Sequence, residues 1–559
     1  ALQPVWQSLH RSACTGVQYS GCASGGCLAR LNPNPGSAGN GFAYTALEID
    51  DGRRLRNVTY GPDYAPEKGL PVIGLRADTA HRITLTAGTA DPVVLVYRTP
   101  ALPADNVETP TFNTITSQPN DMAGGFTILS IRRGAPTRAI WMSPGQFAFM
   151  RDWSLLVALD EEGEVVWYYK ADSRIAGVHR LANGNLFYHH VDFRSVEIDM
   201  CGNTIRTFFA DKRPFGPVDE PGAIGIDAQS LHHQPHEMPN GNYLALTANA
   251  QEIENYYTSE TDPDAPRANQ KVVGDKIVEF TPQGEIVWDW NTFDHLDIWR
   301  FGYLLTEVYW HTRGFPGHYD WTHGNGVSYD PHDDSVLISL RHQDAVIKID
   351  KATKEIIWIL GDHKGWEGAF KKKLLTPTHD LRWHYHGHNP RVSGKNRFVM
   401  YDNGVIRAMP PDPIALPHEC FARAVEYEVN PETMEVTERW TSSDDDDESR
   451  VISFAMGDAH RLANGNMMVI DSVCLPQHEQ LNRRVTAADL TWNQKRRDEW
   501  HPADFASWGR IREMTNDESR SVVYEVHVRH PHELITWECF GGTRAASLYP
   551  ASVTEADPN

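Results

Sequence analysis

His179-Arg-Leu-Ala-Asn183-Gly184-Asn185-Leu-Phe-Tyr188 is the stretch on which the fold turns, because it recurs. His236 leads to Asn240-Gly241-Asn242 and the apolar run Tyr243-Leu-Ala-Leu. His460 leads to Asn464-Gly465-Asn466 and Met467-Met-Val-Ile. Asn-Gly supplies the positive φ of a tight hairpin, so each unit reads strand, turn, strand. Two looser copies follow the same plan. His388 leads through Ser393-Gly394-Lys395-Asn396 to Phe398-Val-Met-Tyr, and His323 through Pro331-His332-Asp333-Asp334 to Val336-Leu-Ile-Ser.

A second hairpin type alternates with the first. Its opening strand ends in an acid and its closing strand carries a tryptophan, as in Leu156-Val-Ala-Leu-Asp160 to Val165-Val-Trp-Tyr-Tyr and Val346-Ile-Lys-Ile-Asp350 to Ile356-Ile-Trp-Ile-Leu. Val522-Val-Tyr-Glu-Val to Leu534-Ile-Thr-Trp-Glu is read as the last of these. Two hairpins make a four-stranded blade. The blades fall at 126–172, 178–210, 233–291, 322–362, 384–441 and 457–541. A repeat of this length with a Trp signature indicates a β-propeller. The expected architecture is all-β: a six-bladed β-propeller preceded by a small N-terminal β-sandwich domain.

Residues 1–110 carry short apolar strands between Gly, Pro and Asp turns, as in an immunoglobulin-like sandwich. Residues 111–125 read as a linker and 126–559 as the propeller, with long loop insertions at 250–270, 294–320, 364–382 and 475–518. These are expected to be helical or irregular and to cover one face.

The net charge of −22 argues against a nucleic-acid partner and makes any anion site a local cluster of Arg and His. Asp444 to Glu448 reads as a solvated acidic loop. No apolar run is long enough to span a membrane. Cys14, Cys22 and Cys27 lie close enough in a Gly/Ser-rich segment for a disulfide in an oxidising compartment.

Trp383-His384-Tyr385-His386-Gly387-His388 alternates histidines, which on an extended strand would put all three on one face. The repeat offset singles out His388. Equivalent positions in a ring of blades converge on the channel, so His236, His323, His388 and His460 are expected to approach one another, with His179 as a possible addition.

The repeats, the motif Thr322-His323-Gly324-Asn325, Arg341 in Ser339-Leu340-Arg341-His342, and His388 followed by Tyr401-Asp402-Asn403-Gly404 resemble the bacterial arylsulfate sulfotransferases. So does Pro71-Val-Ile-Gly-Leu-Arg-Ala-Asp-Thr in the N-terminal domain. The resemblance implies sulfuryl transfer from a phenolic sulfate ester to a phenolic acceptor. The implied route is ping-pong through a sulfohistidine, without a cofactor or a metal. It implies His388 as nucleophile, and His323, Asn325 and Arg341 as sulfate-binding and transition-state residues. His236 is implied as a further active-site histidine. His460 is added as a substrate-binding candidate from its repeat position alone. The chemistry suits these groups: Arg341 offers a planar donor fork to sulfuryl oxygens, and neutral imidazole is a competent nucleophile. Either His236 or His323 could act as general acid and then base. Tyr309, Trp310, Tyr319 and Trp321 are candidates for stacking on a phenolic ring. The resemblance implies a periplasmic or secreted protein, and a homodimer through the N-terminal domain is a further expectation. In one departure from the pattern, only Cys420 lies where some family members carry a cysteine pair near the nucleophile.

The competing reading is a metal-dependent propeller lyase or hydrolase, with His384, His386 and His388 joined by His236 and His323 around a cation. Arg341 in the cluster would repel that cation. A non-catalytic scaffold is the remaining alternative.

Overall fold

The structure is a computed structural model that describes residues 29–31, 45–61, 70–87, 91–134, 143–306, 309–415, 419–444, 449–475 and 506–556. Nearly all regular structure there is β. The α-helices are short, Pro144–Arg151 and Thr292–His295. No helix among these residues is long and apolar enough to cross a membrane.

The repeated turn differs from its sequence reading. Leu181 N–H donates to Asn185 O, and Gly184 N–H to Leu181 O, each at 2.9 Å. Only the glycines take positive φ, Gly184 at +90°, Gly241 at +81° and Gly465 at +91°. The loop therefore has three residues and ends in a left-handed glycine, rather than two residues both left-handed. The asparagines serve another purpose. Asn185, Asn242 and Asn466 donate through Nδ2 to Glu197, Glu279 and Glu513 at 2.6, 2.6 and 2.8 Å. Each glutamate is buried on the third strand of its sheet, so the turn supplies the donors that a buried carboxylate needs.

Six sheets follow one another along the chain. The first holds Thr536–Ala545, Phe126–Gly134, Ser154–Leu159 and Val165–Ala171, in that order. The second begins with Ile175–Arg180, the third with His232–Glu237, the fourth with Gly324–Asp330 and the fifth with His388–Gly394. In the sixth, Ile452–Ser453 and Asp458–Arg461 both pair with Met467–Leu475. The leading strands touch in turn around a circle, and Asp458–Arg461 reaches Thr536–Ala545 to complete it.

This corrects the last hairpin. The strand containing Trp537 leaves the sixth sheet and pairs with Phe126–Gly134 of the first, with Glu538 opposite Arg132. Late and early sequence are thus stitched into one sheet.

The Trp signature gains a physical reason. Trp167 Nε1 donates to Met200 O at 2.8 Å, Trp288 to Lys351 O at 2.7 Å and Trp440 to Thr515 O at 3.2 Å. Each indole reaches a turn of the next sheet. Apolar clusters fill the gaps between neighbouring sheets, such as Leu337, Trp358, Phe398, Met400 and Tyr427 between the fourth and fifth. Each buried aliphatic or phenyl side chain of this kind contributes about 1.5–3 kcal/mol.

Three other expectations change. Residues 111–125 contain the strand Thr111–Ser117, which pairs with Val522–Arg529 at the edge of the sixth sheet. The insertion at 250–270 is largely the tip of a long hairpin, Tyr243–Tyr256 with Ala268–Phe280. Among the described residues, the N-terminal region holds one five-stranded sheet and the two-stranded pair Ala29–Leu31 with Leu70–Val72, in place of the expected sandwich of two packed sheets. Its outer strand is Val553–Ala556. Leu47, Val58 and Ile83 of that sheet share one apolar cluster with Ile128, Leu156 and Tyr188, so the larger body covers its inner face. The proposed disulfide cysteines Cys14, Cys22 and Cys27 lie outside the described residues, as does most of the insertion at 475–518.

Candidate active site

His388 opens the leading strand of the fifth sheet, opposite Tyr401. The three histidines do not share a strand face. The strand begins only at His388, and His386 sits at φ +54°. His388 Nδ1 lies 2.6 Å from Asn403 Oδ1. The Asn403 amide is fixed from its other end, where Nδ2 donates to Ser453 O at 3.1 Å and to Met456 O at 3.0 Å. Oδ1 therefore accepts, and the imidazole proton sits on Nδ1. Nε2 carries the lone pair, and the Met456 N–H donates to it at 3.1 Å. Burial, then the nearby Arg341 charge, push the His388 pKa down to about 3, so the ring is neutral at ordinary pH.

Arg341 starts the short turn Arg341–Gln343 after the second strand of the fourth sheet. Its Nη1 donates to His342 Nε2 at 2.8 Å, and His342 Nδ1 donates to Asp320 O at 2.8 Å. Its Nη2 donates to Phe454 O at 3.3 Å. His323 sits at φ +46°, with Nδ1 held 2.5 Å from Asp320 Oδ2. The Asp320 carboxylate is fixed in turn by Trp310 Nε1 at 2.9 Å. The His323 ring lies 4.6 Å from that of His342 and 4.4 Å from that of Tyr309. This is a carboxylate–imidazole pair, the arrangement of a general acid or base.

The histidine that joins this group from the third sheet is His233, not His236. The His233 ring lies 5.4 Å from His323. Burial, then His232, His323 and His388, hold its pKa well below the ordinary value. Its Nδ1 is 2.7 Å from His232 Nδ1, and His232 Nε2 is 3.2 Å from Asp275 Oδ1. His236 faces His179 instead, ring to ring at 5.5 Å. His460 pairs with Asp458 at 3.2 Å, and Asp458 also takes both arms of Arg391 at 2.8 and 2.7 Å. His179, His236, Arg391 and His460 therefore form a separate lower tier. The register explains the split. His388 stands three residues before Arg391 and His233 three before His236, so the turn-facing level and the site level are one bulge apart.

Asn325 is also corrected. Its Nδ2 donates to Gly387 O at 2.8 Å, while Ser339 Oγ donates to its Oδ1. Both ends of the amide are used inside the protein, and the side chain braces the peptide that carries His388. Among the aromatic candidates, Trp310 and Trp321 are fully buried, with their indole N–H groups bonded to Asp320 Oδ1 and Arg300 O. Tyr309 is the one that touches the site histidines.

Sequence reading missed Asp320, His342, His233 and Met456. A paired His232-His233 before the repeat histidine, and an acid three residues before His323, were the available signals.

The predicted metal set does not assemble. Among the described residues, the group within cation-binding range is Asp320, His323 and His342, with ligand atoms within 4.8 Å of one another. His323 Nδ1 is already bonded to Asp320 Oδ2, and the Arg341 guanidinium meets His342 Nε2.

A family profile described as Arylsulfotransferase (ASST) matches residues 112–533. Arylsulfate sulfotransferase AssT of Escherichia coli O6:H1 is 33% identical over 138 residues, covering 22% of this chain and 22% of that protein. The AssT of Lelliottia amnigena is 30% identical over 138 residues, with the same coverage of both. The chain therefore aligns with about a fifth of the length of these curated relatives. A structure from Bacteroides caccae, of a protein of unknown function, overlays 75% of this chain and 99% of its own at 11% identity and a TM-score of 0.37. The profile spans His233, His323, Arg341 and His388, and by it the chain belongs to the arylsulfotransferase family.

Proposed function

We propose that the protein is an arylsulfate sulfotransferase built on a six-bladed β-propeller. It moves a sulfuryl group from a phenolic sulfate ester to a phenol by a ping-pong route through sulfated His388. The observation that carries this reading is the fixed state of His388: a buried, neutral ring with its proton held on Nδ1 by Asn403 and its lone pair on Nε2, close to Arg341.

In the first half-reaction His388 Nε2 attacks sulfur. The N–S bond forms as the S–O bond to the phenol breaks. The departing phenolate takes a proton from His323, whose imidazolium is stabilised by Asp320. In the second half-reaction the acceptor phenol gives its proton to the now neutral His323. Its oxygen attacks sulfur, and the S–N bond breaks to return His388. The geometry favours His323 over His236 for this role. Arg341 binds sulfuryl oxygens, and charge-assisted bonds of this kind strengthen as negative charge concentrates on those oxygens. The Met456 N–H occupies the Nε2 lone pair in this structure, so donor binding must replace that hydrogen bond. The reading also carries a periplasmic or secreted location.

The test is incubation with 4-nitrophenyl sulfate and phenol. Nitrophenol release that requires the acceptor and disappears in His388→Ala is expected. Release of free sulfate without acceptor would point to a sulfatase instead. Activity that is abolished by EDTA and restored by a divalent cation would point to a metal-dependent reaction instead.

A further inference from the structure

Arg132 of the first sheet, with Arg174 just beyond that sheet and Arg313 in the turn His311–Arg313, makes a cationic group that the reaction scheme does not use. Arg132 and Arg174 are both buried, at 7% and 8% exposed, and both bond to the same carboxylate oxygen. Arg132 Nε donates to Glu538 Oε2 at 3.1 Å and Arg174 Nη2 donates to it at 2.5 Å. Arg174 Nη1 donates to Arg133 O at 2.9 Å. Arg313 packs 3.6 Å over the Tyr309 ring, and its charge bears on both other guanidiniums. Among the described residues, Glu538 is the only carboxylate that ion-pairs with any of the three. Three cations thus face one anion, in a protein whose net charge is −22. Burial, then Arg174, lower Arg132 to about 9, which still leaves it charged at neutral pH.

The group adjoins the site. Arg132 stacks 4.7 Å from the Phe540 ring, which lies 5.9 Å from His233. Arg132 Nη2 meets Met456 Sδ, and the Met456 N–H is the one on His388 Nε2. Tyr309, under Arg313, lies 4.4 Å from His323.

Buried charges are paired or find a partner in a ligand. We propose that Arg132, Arg174 and Arg313 form a second anion subsite, which takes a carboxylate or further sulfate carried on the aromatic substrate. The inference rests on the sulfotransferase reading and narrows its substrate class to aryl compounds with a second anionic group, held between this subsite and Arg341.

The test compares kcat/KM for 4-nitrophenyl sulfate and 4-carboxyphenyl sulfate, with phenol as acceptor. The carboxylated donor is expected to be preferred about tenfold or more, since one charge-assisted hydrogen bond is sufficient for that. The acceptor arm compares phenol with 4-hydroxybenzoate, and shows whether donor or acceptor uses the subsite. Arg313→Gln breaks no ion pair of the described residues, and Arg132→Met removes a cation while Glu538 keeps its pair with Arg174. In both, the ratio of the two kcat/KM values should fall toward one, and the ratio cancels any loss common to both substrates. A wild-type ratio at or below one in both arms, or a preference untouched by either variant, would overturn the subsite while leaving the transferase reading intact. Transfer from neither donor would overturn the transferase reading itself.

Discussion

The upper and lower tiers of the channel are made from the same repeat and the same residue types, yet they differ in how charge is matched. In the lower tier Arg391 has both arms on Asp458, His460 adds a contact to that carboxylate, and Gln234 accepts from Arg391 at 2.8 Å. In the upper tier Arg341 donates to the His342 imidazole and to the Phe454 carbonyl, and Asp320 holds His323. A guanidinium beside a neutral imidazole and a carboxylate–imidazole pair suits a reacting sulfuryl group; a guanidinium with both arms on one carboxylate suits stability. Position in the repeat therefore does not predict role, whereas partner chemistry does.

The sharpest way to break this contrast is to remove one histidine from each tier. His388→Ala should lower kcat by about 10⁴–10⁶, as loss of a nucleophile does elsewhere. His460→Ala should cost less than about tenfold. Equal losses would mean that the tiers form one site after all. Steady-state kinetics with 4-nitrophenyl sulfate and phenol measures both.

The next effect falls on the lower tier and on stability. Arg391→Met leaves Asp458 buried without its main partner and should destabilise by about 3–5 kcal/mol. Adding Asp458→Asn should recover much of that loss. Denaturant midpoints of the two variants decide it, and a double variant no better than the single would show that the pair is not isolated in this way. A smaller effect is expected at Asn403. Its replacement by Ala frees the His388 tautomer and should cut kcat by about 10²-fold with KM little changed.

Much of the fold was legible because its signals are local. The Asn-Gly-Asn turns and the alternating Trp strands are spelled out within ten residues each. What escaped was non-local. The pairing of Thr536–Ala545 with Phe126–Gly134, and of Thr111–Ser117 with Val522–Arg529, joins residues hundreds of positions apart with no mark in either strand. The site was half legible for the same reason. His388, His323 and Arg341 stand in recognisable motifs, but a register shift between His232 and His236 decides which histidine of the third sheet reaches the site. A bulge of that kind leaves no trace in residue spacing. Asn325 was read as a ligand because its type suits sulfate; its bonds to Gly387 and Ser339 are visible only once the neighbouring sheet is in place.

The smallest expected effect concerns pH, and it separates the buried histidines from Asp458 by window. His388 and His189 are lowered to about 3, and His190 and His384 to about 4, in each case chiefly by burial. An unfolded histidine titrates near 6.5. Between those values the unfolded chain binds protons that the folded chain refuses, so stability must fall as pH drops below about 6.5. Each such ring contributes about 1 kcal/mol of loss over the first unit. His388→Asn should remove one share and flatten the slope by about that amount. Asp458 acts in the same direction but in a lower pH window. Burial would raise its pKa, but Arg391 and His460 outweigh burial and hold the carboxyl below the ordinary range. The stability it contributes is complete above the ordinary carboxylate pKa and is lost only as pH falls beneath it. Unfolding free energies taken from pH 7 to pH 3 should therefore bend twice. The Arg391→Met, Asp458→Asn double variant should shrink the lower bend by the share of Asp458 and keep the upper one. A single bend that responds to both sets of substitutions would show that the two tiers titrate as one coupled network.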